Sequence, residues 1–179
     1  GCTSLTGITI PDGVTSVGFQ TFSGCTSLKK ITIPDSVTMI GDNSFNGCSS
    51  LKSIYFSKNL TRIGYEAFAD CEGLVNVSLP EKLENIDTGA FKGCTALLGL
   101  YIPGTNLEIK SRAIGYNSDS EKNEKLVIIG KSGSAAETYA KNTGLLFVSN
   151  FASKILVFLL VLLLFERESC YTYLVNWGN

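Results

Sequence analysis

LKKITIPDSVTMIGDNSFNGCSS, residues Leu28–Ser50, carries the reading of the whole chain. Ile31, Thr32 and Ile33 alternate apolar and polar side chains, the period of a β-strand with one buried face. Pro34 has no N–H for a further rung and ends the strand, and Asp35 and Ser36 make the turn. Val37 and Ile40 return to the interior, Gly41 supplies a bend, Phe45 fills the far wall and Gly47-Cys48 closes the unit. The same order recurs on both sides. Cys2, Cys25, Cys48, Cys71 and Cys94 are each 23 residues apart, as are Leu5, Leu28, Leu51, Leu74 and Leu97, and Phe22, Phe45, Phe68 and Phe91. Pro11, Pro34, Pro80 and Pro103 share one phase, with Ser57 in the vacant slot. Fixed self-similarity of this length is the mark of a solenoid.

One such unit cannot cover its own apolar side chains, whereas stacked units cover each other. Three inward columns follow: Ile8, Ile31, Ile54, Val77 and Leu100; Ile10, Ile33, Phe56, Leu79 and Ile102; Val17, Ile40, Ile63, Ile86 and Ile109. In-register stacking at about 4.8 Å per strand turns each into a ladder and the phenylalanines into a spine.

Composition narrows the function. Lys and Arg number 15 against 16 Asp and Glu, a net charge of -1 with no long basic run. A nucleic-acid role therefore has no electrostatic support. Histidine is absent, which removes the usual general base and the commonest metal ligand. The cysteines form no close cluster of the kind that binds metal. Neighbours on adjacent rungs could meet disulfide geometry, but an odd number of equivalent positions cannot all pair, so a ladder of buried thiols is the expectation. No cofactor, metal or catalytic residue is expected.

The motif LxxIxI in LKKITI resembles the core of leucine-rich repeats. With IPDSVT, the Ile-Gly bend, the Phe and the Gly-Cys closure it resembles the BspA-like class, over residues 1 to about 116. Departures are YFSKN at 55–59 in place of the Ile-Pro-Asp turn, and Asp87 in place of the bend glycine. The fold expected is a leucine-rich-repeat solenoid of parallel strands, with short turns or helical segments on its convex side and a carboxyl-terminal cap holding one α-helix. The resemblance implies a secreted or cell-surface protein of a host-associated microbe that binds host or matrix components.

If Ile31 and Ile33 face inward, Lys30 and Thr32 face out, followed by Ser53 and Tyr55, Asn76 and Ser78, and Tyr101 beside Gly99, with Gly7 and Thr9 ahead of them. A solvated sheet face is the plain reading of any one of these. As a row they are the candidate ligand-binding face, since solenoids use extended concave sheets and tyrosine adds contact area at low entropy cost. The acidic group Asp119, Glu121 and Glu124 lacks the ligand register of a calcium loop and reads as solvated. Asn59-Leu60-Thr61 and Asn76-Val77-Ser78 match the glycosylation acceptor pattern, which matters only in a eukaryotic secretory host.

Past Phe91 the period fades. Ile114 and Asn117 keep the beat, and in the resembled family Asn alternates with Cys at the latter position, which predicts one further coil. SDSEKNEK (118–125) interrupts it, Leu126–Ile129 and Leu145–Val148 read as strands, and Ser134-Ala-Ala-Glu137 is a capping box for a short helix stopping at Gly144. The domain expected is 1–149, with 117–149 as its cap. GCTSL at the start is the closing piece of a repeat, which predicts more repeats upstream.

Residues 150–179 do not fit. Ile155–Phe165 is an unbroken apolar run of eleven, short of the roughly 20 residues a bilayer helix needs. Extending it back to give 145–165 reaches that length but takes in Asn150 and Lys154. A membrane anchor, an extra helix buried or covered by a partner, and an aberrant carboxyl terminus (with Cys170 off the repeat beat) remain three readings. For the whole chain, a non-catalytic adhesion or protein-interaction module is expected. The rival is an architectural spacer in a larger surface protein.

Overall fold

A computed structural model describes residues 1–149, and the features read from the sequence beyond Ser149 lie outside them. The chain forms a parallel β-solenoid of about six turns with one helix near its carboxyl end. One set of short strands carries the LxxIxI motif: β2 (Lys30–Thr32), β4 (Ser53–Tyr55), β6 (Asn76–Ser78) and β8 (Gly99–Ile102). Pairing is in parallel and in repeat register, with Ile31 opposite Ile54 and Val77 opposite Leu100. β10 (Val127–Gly130) and β11 (Leu146–Ser149) extend the series beyond β8.

A second parallel sheet, which the sequence reading did not foresee as a sheet, runs through the third apolar column. Its strands are β1 (Ser16–Val17), β3 (Met39–Ile40), β5 (Arg62–Ile63), β7 (Asn85–Ile86) and β9 (Glu108–Ile109), joined in that order. Each strand has only two residues, too short for alternation to be seen. The remaining side of each coil is built from turns, yet these also form a ladder: the N–H groups of Phe22, Phe45, Phe68 and Phe91 donate to Ser44, Ala67, Ala90 and Ala113 of the next coil at 2.7–2.8 Å. Backbone satisfaction between coils thus runs down more than one side.

The phenylalanine spine is continuous. Phe22 stacks on Phe45, Phe45 on Phe68 and Phe68 on Phe91, with ring centroids 5.2, 5.0 and 5.3 Å apart. Phe56 meets Phe68 edge-on at 5.7 Å. Ile8 departs from its expected column: it is 41% exposed, at the end of the described stack where no described coil covers it.

The five repeat cysteines are free thiols; Cys2 is exposed and the other four are buried. The Sγ groups of Cys48, Cys71 and Cys94 donate to the carbonyls of Phe22, Phe45 and Phe68 in the preceding coil at 3.1, 3.2 and 3.2 Å. Each thiol therefore fastens its own turn to the turn before it, beside the aromatic spine. Burial pushes Cys48 up to about 11 and Cys94 up to about 12, and holds Cys71 well above the ordinary thiol range.

Two glycine roles separate. Gly24, Gly47 and Gly93, just before the cysteines, have positive φ, and Asp70 takes the same left-handed turn at φ 55° in the coil between them. Gly41 is different. Its φ is not positive; a Cβ there would lie 3.0 Å from the Val17 carbonyl oxygen and from the Gly18 carbonyl carbon. Close approach of the preceding coil, rather than a special bend, calls for glycine at that phase.

The cap closes the last full rung. α1 (Ala135–Thr143) starts at Ser134, whose Oγ accepts from the Glu137 N–H, while the Glu137 carboxylate accepts from the Gly133 N–H at 2.6 Å. Gly144 ends the helix in the left-handed conformation. From the helix, Tyr139 reaches into the fading repeat. Its hydroxyl donates to the Ile114 carbonyl at 2.9 Å and accepts from the Ile114 N–H at 3.1 Å, satisfying both backbone groups of a buried residue. Tyr139→Phe is expected to cost about 1–3 kcal/mol, because Ile114 keeps its burial and loses its partner. Faster hydrogen exchange at the Ile114 amide, with the helix itself retained by circular dichroism, is the measurement that checks it.

The polar interruption 118–125 is more structured than its composition suggests. Asn123 is buried, donates through Nδ2 to the Leu97 carbonyl at 2.7 Å and accepts from the Lys125 N–H. Asn117, the position on the repeat beat, instead donates sideways to Glu121. β10 pairs with β8 through Val127 opposite Gly99, an offset of 28 rather than 23, so this coil is the longer one.

Candidate functional site

The candidate residues sit on the outward face of two adjoining sheets, β2–β4 and β6–β8, because the strand period leaves them no alternative. Ile31, Ile54, Val77 and Leu100, the central residues of the motif, are buried, which turns their neighbours outward. Lys30 and Thr32 in β2 are exposed. In β4, Ser53 is half-buried and Tyr55 is exposed, in β6 Asn76 is half-buried and Ser78 exposed, and Tyr101 in β8 is half-buried. Gly7 and Thr9 precede them and are exposed, while Gly99 is buried.

Register aligns these residues in two rows. Lys30 lies opposite Ser53 and Thr32 opposite Tyr55; Asn76 lies opposite Gly99 and Ser78 opposite Tyr101. β4 lies beside β6 but is not ladder-paired with it, so the rows belong to two adjoining sheets, β2–β4 and β6–β8, that together cover four coils, a span of about 14 Å at ordinary strand spacing. The Lys30 ammonium sits 4.9 Å from the centre of the Tyr55 ring, a cation–π contact that orients the most exposed aromatic of the rows. The Oδ1 of Asn76 is shielded and has no hydrogen-bond partner among the described residues.

Other sequence candidates separate from this face. Asp119 pairs with Lys92 at 2.7 Å, and that contact holds its carboxyl below the usual carboxylate range. Among the described residues no group of three or more Cys, Asp or Glu is placed to hold a metal ion. No described helix is long and apolar enough to cross a membrane. The span read as 145–165 is altered at its start: Leu146–Ser149 is strand β11, hydrogen-bonded to β10, so a continuous helix does not begin at Leu145.

Repeat register, thiol ladder and aromatic spine together specify the class. The family model described as "BspA type Leucine rich repeat region (6 copies)" matches residues 1–121. The chain belongs to this BspA-type leucine-rich repeat family. Its fold is similar to that of a leucine rich cell surface protein from Faecalibacterium prausnitzii, with 30% identity and a TM-score of 0.65 over 75% of this chain and 34% of that one. A leucine-rich repeat protein from Bacteroides ovatus is similar at 25% identity and TM-score 0.60, covering 82% of this chain and 42% of its own. The leucine rich repeat protein of T. pallidum gives 26% identity and TM-score 0.52 over 70% and 69%. The BspA-type chain thus spans only about a third of the F. prausnitzii protein. No curated protein matches it.

Proposed function

We propose that this BspA-type chain is a non-catalytic protein-binding module of a bacterial cell-surface protein, and that it binds through the rows Lys30, Thr32, Ser53, Tyr55, Asn76, Ser78 and Tyr101. The observation that carries the reading is the alignment itself: polar residues and two tyrosines held in fixed register within the strand pairs β2–β4 and β6–β8. A rigid β surface loses little entropy on binding, and tyrosine offers both apolar area and a hydroxyl. The likeness to a cell surface protein of F. prausnitzii supports the surface location, and adhesion to a host or matrix protein is our reading of the exposed rows. The four buried thiols, Cys25, Cys48, Cys71 and Cys94, take no part in this face.

The test is binding of the full chain to reconstituted extracellular matrix by biolayer interferometry. Tyr55→Ala combined with Tyr101→Ala is expected to weaken binding at least tenfold while the far-UV spectrum is kept. Tyrosines at the centre of an interface commonly contribute 2 kcal/mol or more each, so roughly tenfold is a lower expectation. Unchanged matrix binding by a folded double variant would leave the array as a spacer and sink the proposal.

A further inference from the structure

The second sheet, β1-β3-β5-β7-β9, has an outward side of its own. Val17, Ile40, Ile63 and Ile86 are buried, which turns Ser16, Met39, Arg62 and Asn85 outward in one row in register. Three residues further along each coil stand Phe19, Asp42, Tyr65 and Thr88, a second row. Phe19, Tyr65 and Met39 are 68%, 43% and 38% exposed, half of the exposed large apolar side chains among the described residues, so these gather on this side. Between the rows lie Gly18, Gly41 and Gly64, and the strip separating them is bare backbone over three coils. In the fourth coil Asp87 takes that phase. Tyr65 is held from two directions: its N–H donates to Asp42 Oδ1 and its hydroxyl to Glu66 Oε1, each at 2.9 Å.

Charge is graded along this strip. The first coil, residues 15–20, carries none, whereas the next three bring Asp42, Glu66, Glu84 and Asp87 against a single base, Arg62. That base lies between Asp42 and Asp87, at 3.8 and 3.2 Å, so a carboxylate excess is left over. We propose that the strip binds an extended segment of another protein in which an aromatic or large aliphatic residue is followed about four positions later by Lys or Arg. The apolar residue packs against Phe19 and Met39, and the cation reaches the ring of Tyr65 and the carboxylates of Glu66 and Asp87. Spacing follows from the stack: the first and fourth coils are about 14 Å apart, the length of about four extended residues. The side-chain-free strip lets a backbone approach closely. Charge selects the occupant. A polyanion is repelled, a second copy brings the same acidic excess, and a neutral glycan makes no use of it. The face proposed above for matrix binding has one charged residue, Lys30, so the two sides take different segments and neither proposal depends on the other.

Titration of the isotope-labelled full chain with a capped peptide, Thr-Phe-Thr-Ser-Thr-Arg-Thr, followed by NMR, tests this. Saturable shifts are expected at the amides of Gly18, Gly41, Gly64 and Tyr65. A peptide with Glu in place of Arg, and one with Thr in place of Phe, should each bind at least tenfold more weakly. Raising NaCl from about 50 to about 500 mM should weaken the parent peptide several-fold. Phe19→Ser with Tyr65→Ser should lose at least tenfold in affinity; both side chains are exposed, and unmoved amides elsewhere show that the fold is kept. Tyr55→Ala with Tyr101→Ala should leave peptide binding unchanged, whatever it does to matrix binding. Equal response to the Arg and Glu peptides, or shifts confined to Lys30 and Tyr55, would overturn the proposal. So would the lack of any saturable shift, or movement of the same glycines by cellohexaose but not by the peptide, which would make the strip a glycan site.

Discussion

Phe68→Ala is expected to remove about 3–5 kcal/mol of stability, a large part of what a domain of this size holds. Phe68 is fully buried and stacked on both sides, on Phe45 and on Phe91, with Phe56 edge-on besides. Truncation removes the ring's own burial, leaves a cavity in the middle of the spine, and deletes ring contacts of about 0.5–1.5 kcal/mol each. Refilling by movement of a neighbour is blocked, because Phe45 and Phe91 are themselves fixed by the coils to which they belong. Phe22→Ala is the internal control: Phe22 has one stacked neighbour in the described chain and is slightly exposed. Its cost should be smaller by 1 kcal/mol or more. Phe68→Leu, which keeps most of the volume, should fall between the two. Urea denaturation followed by circular dichroism separates these outcomes. Equal costs for Phe68→Ala and Phe22→Ala would mean that the stack is a by-product of repetition rather than a source of stability.

That prediction was accessible from the sequence because the period is constant. With 23 residues per coil, four phenylalanines on one beat have to lie above one another, and Lys30, Thr32, Ser53 and Tyr55 have to share a face. The cap was equally legible: Ser134, Glu137 and Gly144 are local signals whose meaning does not depend on the rest of the chain. What escaped was either too short or non-periodic. Ser16–Val17 and its four equivalents offer one inward residue per strand, and two residues display no alternation. Asn123 lies inside SDSEKNEK, where composition points to solvent, but a lengthened coil carries its amide to the Leu97 carbonyl. No spacing rule leads to an offset of 28.

The candidate face was legible in placement and only partly in character. Strand alternation assigned Lys30 through Tyr101 to one side, and the structure holds them there. The apolar end of the same face was not foreseen. Leu126–Ile129 reads as a strand from its composition, yet four consecutive apolar residues do not show which of them face the core. Register with Tyr101 and Val148 settles that Val127 and Ile129 do not. The polar-to-apolar change along one sheet therefore appears only once the cap is in place.

Alkaline pH is expected to destabilise this chain steeply, and the thiol ladder is the cause. Buried Cys48 and Cys94 ionise at about 11 and about 12, and Cys71 well above the ordinary thiol range, against 9.0 in a free chain. Burial disfavours the thiolate in each case, and the Sγ–H groups that donate to Phe22, Phe45 and Phe68 would be lost with the proton. The folded state thus binds more protons than the unfolded one between pH 9 and about 11–12. Stability is fully present below pH 9 and falls as pH rises through that window. Each thiol contributes a limiting slope of about 1.4 kcal/mol per pH unit, so three together approach about 4 kcal/mol per unit. Tyr139, pushed up to about 12 by burial, adds to the loss above pH 10. Urea midpoints under reducing conditions at pH 8, 9.5 and 10.5 should therefore drop steeply. In Cys48→Ala, Cys71→Ala, Cys94→Ala the drop should flatten by more than half. A triple variant as alkali-sensitive as the parent would place the titration elsewhere, and the cysteines would then be small apolar fillers whose protons carry no weight in the fold.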